Sequence, residues 1–457
     1  MGYTEFLAVA EEKLNNYSER ERNYTNKNRY LETQGLAKKQ FSNIESAKQR
    51  AAAIRWKTFE SLDKYLIEFE ANFSKAGGKL IWAQDSLEAL NEILSVLNKH
   101  QITSVVKSKS MTTEEIGLNK TLFENNIECT ETDLGEFILQ QSGDTPSHMV
   151  TPASHQKIGD IHTLYQTKFN FEGEATADNI ASFTGDLIKN KFKNSGAVIT
   201  GANFIVADTG SIAITENEGN AFLGLSFPKV QIVIAGIDKM IPSLTDLDTL
   251  FPILATYGTG QHITAYNHLI NGPKRNNEKD GPEELYLIIL DNGRSDILSQ
   301  PDQRSAINCI HCGACLNVCP VYNNAGGHAY QSIYYGPIGS VILPHKSKNE
   351  EYNYLSNAST ICGKCTEVCP VKIDLHKLLL FNRRDFKKTD SSKSEKIMFY
   401  FWKKAMMKRD IMNKGGAKTK NFVLSNFFKK SWGQRRTLPG VAPKSFNELW
   451  RNMMRDS

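Results

Sequence analysis

Seven of the eight cysteines in this 457-residue chain fall between Cys309 and Cys369, and only Cys129 lies elsewhere. That crowding restricts the possible folds more than any other feature. An odd number of closely spaced thiols is a poor basis for a secreted disulfide framework. The start, Met1-Gly2-Tyr3-Thr4-Glu5-Phe6, lacks the charged-then-apolar design of a secretory signal. Gly2 would suit myristoylation, but Phe6 stands where Ser or Thr is needed. The expected setting is a reducing, cytoplasmic compartment in which thiolates hold metal. No run of about 18 apolar residues occurs, so no membrane-spanning helix is expected.

The first motif runs Cys309-x2-Cys312-x2-Cys315-x3-Cys319-Pro320, the spacing of a two-cluster ferredoxin. Three closely spaced thiolates wrap one four-iron, four-sulfur cube, and the fourth, beside proline, turns away to the other. Gly313, having no Cβ, suits a tight loop around an inorganic core. The second motif, Cys362-x2-Cys365-x3-Cys369-Pro370, has Ser359 where a full repeat would place its first cysteine. Crosswise sharing gives one cluster Cys309, Cys312, Cys315 and Cys369. The other receives Cys319, Cys362 and Cys365, one thiolate short.

The short set has three outcomes: a four-iron cluster with a non-cysteine ligand or water, a three-iron cluster, or a site completed by a partner. Ser359, His311, His328, His345, Asp374 and His376 are the donors nearby in sequence, and none is preferred over a solvent-facing role. Zinc is the competing metal. A zinc ribbon pairs two cysteine knuckles around one ion, which four cysteines in eleven residues fit badly. Cys129, beside a strand, reads as a buried inert thiol.

Four segments are expected. Residues 1–75 read as a charged helical arm, with Ile54, Phe59, Leu62, Leu66, Phe69 and Phe73 close to a helical period. Residues 76–299 alternate strand-like runs (Lys79–Trp82, Ile102–Val106, Ala197–Ile199, Ile212–Thr215, Val230–Ile237, Leu285–Leu290) with helical ones. One of the latter spans Leu87–Leu97, and another is opened by a capping box at Thr112–Glu115. This texture predicts an α/β domain with a largely parallel sheet covered on both faces. Residues 300–389 hold the cysteines, and residues 390–457 form a basic tail reached through a polar linker, Lys387–Ser394.

From Ser391 onward there are 16 Lys or Arg against 4 Asp or Glu, a net of +12. Subtracted from the whole chain's +5, that leaves −7 for the remainder. Aromatic residues stand among the tail's charges: Phe399, Phe401, Trp402, Phe427, Phe428 and Trp432. Docking onto a partner subunit ranks first for such a surface, peripheral contact with an anionic membrane face second, and nucleic acid last. No nucleic-acid partner is therefore expected.

Ala207–Ser211 and Tyr257–His262 contain glycines but match neither the dinucleotide fingerprint nor the P-loop, and read as turns at strand ends. Arg294 and His262, with glycines near them, are candidate carboxylate and proton-transfer groups but are not assigned to a site.

With these residues in view, the chain resembles the lactate utilization protein B family, the iron–sulfur subunits of bacterial L-lactate oxidation systems. The resemblance rests on Val106–Glu115, Glu131–Glu136, Pro146-Ser147-His148, Ala207–Ser211, Leu290–Arg294, Gly326-Gly327-His328 and Tyr335–Gly339. The tail's Leu438-Pro439 and Lys444-Ser445-Phe446 extend it. It implies a three-layer LUD-type α/β domain, similar in fold to the sugar-isomerase and CoA-transferase group. Beside it would lie an α-helical, two-cluster ferredoxin-type domain. Two partners are also implied, a subunit with cysteine-rich CCG repeats and a second protein sharing the LUD domain. The family's second motif also carries three cysteines, so the gap at Ser359 belongs to the design.

L-Lactate oxidation to pyruvate releases two electrons, whereas clusters move electrons singly, and no flavin or nicotinamide motif is present. The chain is therefore expected to pass electrons rather than to attack lactate. Two readings compete: a small-carboxylate oxidoreductase using the open cluster site, and a redox-sensing scaffold.

Overall fold

The runs Ala197–Gly201, Val230–Gly236 and Glu284–Leu290 are buried along almost their whole length, as strands covered on both faces must be. In a computed structural model they form the middle of a six-stranded sheet. The structure describes residues 3–346, 350–390, 393–408, 411, 414–432 and 437–455. In chain order the strands are β1 (Lys79–Ala83), β2 (Ser104–Lys107), β3 (Glu128–Glu131), β4 (Ala197–Gly201), β5 (Phe204–Val206), β6 (Ser211–Glu216), β7 (Val230–Gly236), β8 (Met240–Ile241), β9 (Tyr266–Ile270) and β10 (Glu284–Leu290). The large sheet has the order β1-β10-β7-β4-β2-β3 and every pairing is parallel. In its centre Ile232 pairs with Ile199 on one side and Tyr286 on the other.

Side chains alternate between the faces with the period of two that a strand imposes. Ile232, Ile234 and Ile288 join a core with Ile93, Leu97 and Leu122 of the helices Ser86–Lys99 and Leu118–Glu124. Val233, Ala235 and Leu287 face the other way, against Phe69 and Phe73 of the helix Leu62–Lys75. The result is a layered α/β fold.

A second, four-stranded sheet, β8-β5-β6-β9, corrects one expectation. Ile212–Thr215 is a strand, but β6 pairs antiparallel with β5 and β9, outside the parallel sheet. The turn Ala207–Gly210 reverses the chain into a hairpin, so that segment is a turn at strand ends as read. Tyr257–His262 is not: it comprises the last two residues of the helix Leu247–Gly258 and the turn after it.

The arm comprises the helices Tyr3–Asn15, Tyr17–Ala37, Ile44–Glu60 and Leu62–Lys75. Asn16 and Asn43 cap the second and third by accepting the N–H of Glu19 and Ser46. The apolar period from Ile54 to Phe73 is broken at Ser61, which ends one helix and starts the next with a non-helical backbone. That break lets Ile54 pack among the cysteine segment's core while Phe69 and Phe73 serve the sheet. Buried Arg55 joins the regions, donating to the carbonyls of Asp238, Met240 (2.8 Å) and Asn308 (3.2 Å).

Two further expectations are corrected. Ser110 is the residue that caps the short helix Met111–Glu115, accepting from the Thr113 N–H, so no box opens at Thr112. Lys387–Asp390 are not linker but the end of the helix Leu375–Asp390. Ser391 and Ser392 lie outside the described residues, and Lys393 begins the helix Lys393–Met406.

The chain divides into two compact units, Met1–Arg384 and Asp385–Ser457. The first contains the arm, both sheets and the cysteine segment. In the second, none of the described residues is buried, and Phe399, Phe401, Trp402, Phe427, Trp432 and Trp450 are exposed. Its helix Phe446–Met453 is capped by Ser445 and stacks Phe446 on Trp450. No helix among the described residues is long and apolar enough to cross a membrane.

Candidate metal centre and adjoining pocket

Parallel strands present their C-terminal ends along one edge, where loops can gather functional groups. Here β7 runs into Asp238 and Lys239, and β10 into Arg294. Arg294 is fully enclosed and forms a fork to Glu115 (2.8 and 3.1 Å) while its Nε donates to Asp238. Lys346 and the Tyr334 hydroxyl also donate to Glu115. Burial works against ionising Glu115 and Asp238, but Arg294, with Lys346 at Glu115 and His311 at Asp238, outweighs it, holding both carboxyls well below their usual range. Burial lowers Lys346 to about 8. Arg294, a candidate carboxylate partner left unassigned from sequence, is thus taken up by a structural pairing. His262 is exposed.

The first cysteine loop packs against this network. His311 Nε2 lies 3.0 Å from Asp238 Oδ2, and burial, reinforced by Lys239, lowers the imidazole to about 4, so it is neutral near pH 7. Cys309, Cys312, Cys315, Cys319, Cys365 and Cys369 are enclosed to differing degrees, whereas Cys362 is exposed. Each of the seven sulfurs receives a main-chain N–H, for example His311 to Cys309 and Ile373 to Cys369, both at 3.3 Å. Burial pushes the Cys309 and Cys365 thiols up to about 12. The N–H groups aimed at the sulfurs favour the charged thiolate, the form that binds iron.

The sulfurs gather crosswise. Cys309, Cys312 and Cys315 lie within electrostatic reach of Cys369 from the second motif. Cys319 from the first motif lies within reach of Cys362 and Cys365. Among the described residues, no three of these sulfurs lie within 4.8 Å of one another. A tetrahedral zinc site would need about 3.8 Å between sulfurs, from a Zn–S bond of about 2.3 Å. As placed, the sulfurs do not form such a site.

The histidines considered as extra donors are engaged elsewhere. His328 Nε2 meets the Thr145 carbonyl (2.9 Å), and His345 meets Asn382 (2.9 Å). Asp374 and His376 pair with each other at 2.9 Å. Cys129 lies half-buried in β3, its thiol raised to about 12 by burial and the Glu131 charge.

A pocket of about 600 Å³, which composition did not reveal, opens at the same edge of the sheet. Lys109, Asp133, Glu136, Asn220, Lys239 and Cys312 line it. Lys109 pairs with Glu136 (3.2 Å) and donates to the Val150 carbonyl (2.9 Å). Burial raises Glu136 to about 7 against the pull of Lys109. Lys239 reaches the pocket without a hydrogen-bonded partner among the described residues.

The segments that carried the family resemblance converge here. The Tyr322 hydroxyl donates to the Ser147 carbonyl (2.6 Å), and His148 meets Asn317 (3.2 Å). A Cβ on Gly327 would lie 1.9 Å from the Ser147 oxygen, so only glycine lets the cysteine segment seat against that loop.

A parallel α/β domain abutting two crosswise sets of cysteines defines an iron–sulfur protein with two clusters. Residues 66–290 match the LUD domain family and residues 305–373 the 4Fe-4S dicluster domain family. Lactate utilization protein B of Bacillus cytotoxicus is 44% identical over 345 residues, covering 76% of this chain and 72% of that one. The same figures hold for lactate utilization protein B of Bacillus cereus and for lactate utilization protein B 2 of Bacillus mycoides. The crystal structure of a DUF162 family protein from Deinococcus radiodurans matches with a TM-score of 0.29 and 12% identity, over 50% of this chain and 98% of that one. The chain belongs to the lactate utilization protein B family.

Proposed function

We propose that this chain is the iron–sulfur electron-transfer subunit of a complex that oxidises L-lactate to pyruvate and so supports growth on lactate. The crosswise gathering of the two cysteine sets supports this, because it brings two one-electron centres into a single relay. In this reading Cys309, Cys312, Cys315 and Cys369 hold one cluster, and Cys319, Cys362 and Cys365 contribute to the other.

The clusters supply one-electron storage and transfer. The protein's residues set the conditions. Main-chain N–H groups stabilise the sulfur charge, and Arg55 and Lys239 place positive charge near Cys309. The Glu115–Arg294–Asp238 network walls one side from water. Companion subunits, a CCG-repeat protein and a second LUD-domain protein, would supply the lactate chemistry. The exposed aromatic and basic surface of the second unit suits docking onto such a partner, with an anionic membrane face as the rival.

A second reading makes this chain the catalyst, and one observation favours it: the pocket has Cys312 on its wall together with Lys239, which has no hydrogen-bonded partner among the described residues. In that reading the pocket meets the complete cysteine set rather than the short one. Anaerobic addition of L-lactate to the purified chain separates the two. No change in the absorption near 400 nm until the companion subunits are added is the expected result; bleaching by the chain alone would overturn it.

A further inference from the structure

We infer that the Ser359 hydroxyl oxygen is the fourth ligand of the cluster held by Cys319, Cys362 and Cys365. The inference rests on the ligand sets proposed above.

The two cysteine loops repeat one backbone. His311 and Ile361, each one residue before the middle cysteine position, have φ of 55° and 54°. Gly313 and Gly363, each one residue after it, have φ of 76° and 80°. A short helix follows each glycine, Ala314–Asn317 in the first loop and Lys364–Val368 in the second. In that alignment Ser359 occupies the place of Cys309.

The hydrogen bonding repeats as well. The His311 N–H donates to Cys309 Sγ at 3.3 Å, and the Ile361 N–H donates to Ser359 Oγ at 3.2 Å. Arg383 pins the segment from behind, donating to the carbonyls of Ser356 (2.8 Å) and Ser359 (2.9 Å). A serine that merely faced solvent would need neither the copied turn nor the clamp.

The rivals are accounted for. His311 sits on the first loop against Asp238, His328 and His345 have their own partners, and Asp374 and His376 pair with each other. The Thr360 hydroxyl donates to the Cys362 thiol. Ligation replaces the Ser359 O–H bond by an Fe–O bond. The proton leaves to solvent at the exposed Cys362 rim, and no electron moves. Oxygen is a harder donor than sulfur and favours the more oxidised iron, so the second centre should have the lower potential of an oxygen-ligated cluster.

The test uses the full-length chain purified anaerobically, with iron and sulfide analysis, electron paramagnetic resonance and redox titration. Wild type should hold two four-iron centres. Ser359→Ala should lose one iron per chain and acquire the oxidised-state signal of a three-iron cluster. Ser359→Cys should keep all its iron and shift one centre's midpoint potential upward, leaving the other unmoved. The inference is overturned if Ser359→Ala matches wild type in iron, signal and potential, or if wild type already holds a three-iron centre. It is likewise overturned if Ser359→Cys leaves both potentials unchanged. Wild-type clusters that no reductant can reduce would instead remove the electron-transfer reading, whatever Ser359 does.

Discussion

Between Cys309 and Cys315 the chain lies beneath the C-terminal edge of the parallel sheet, with Asp238, Arg55 and Lys239 around it. Between Ser359 and Cys365 the same succession of turns comes to the surface, and Cys362 is exposed. The contrast shows which properties a cysteine motif owns. Spacing and glycine determine the shape of the loop and the N–H groups aimed at sulfur. Packing partners far away in sequence determine dielectric and water access, and these set how readily a centre changes charge.

The largest expected effect tests whether the buried loop is indispensable. Cys312→Ala should remove a whole centre, lowering iron by about half, and abolish growth on lactate. Full iron content with normal growth would contradict the assigned role.

A smaller effect should come from the network that backs only the first loop. Arg294→Met leaves Glu115 and Asp238 buried without their shared cation, which should cost about 3–5 kcal/mol in urea denaturation. A loss under about 1 kcal/mol would show that the loop does not depend on this wall.

The smallest effect concerns the pocket bordering that loop. Glu136 titrates near 7 in the folded chain, against about 4.3 when unfolded. The folded state therefore holds the proton more tightly. Its contribution to stability is greatest at low pH, declines as pH rises from about 4 to 7, and is level beyond, a change of up to about 4 kcal/mol. Glu136→Gln should flatten that slope when thermal denaturation is measured across this range; an unaltered slope would assign it to other groups.

The parts of this architecture that sequence reveals are those with local causes. β7 and β10 are nearly continuous apolar runs, and the two cysteine sets proposed as ligands follow from spacing. β5 and β8 are three and two residues long, and β9 is largely exposed, so none shows a clear period. Glu115 and Arg294 are 179 residues apart, and nothing in either neighbourhood announces the other. Ser359 could be named as a donor from spacing but not preferred, because its distinction lies in a backbone turn and an N–H bond. The pocket likewise depends on loops after several strands meeting at one edge.

The position of Cys369 beside Cys309, Cys312 and Cys315 has a consequence for how the protein is made. With the ligand sets proposed above, a ribosome that has finished the first motif has delivered only three of the four thiolates for its cluster. The closing one arrives fifty residues after Cys319, past the whole second loop. The two centres are therefore interlocked like links of a chain. Loading iron becomes an event of the nearly complete polypeptide, and a product cut short before residue 362 would hold neither centre in finished form.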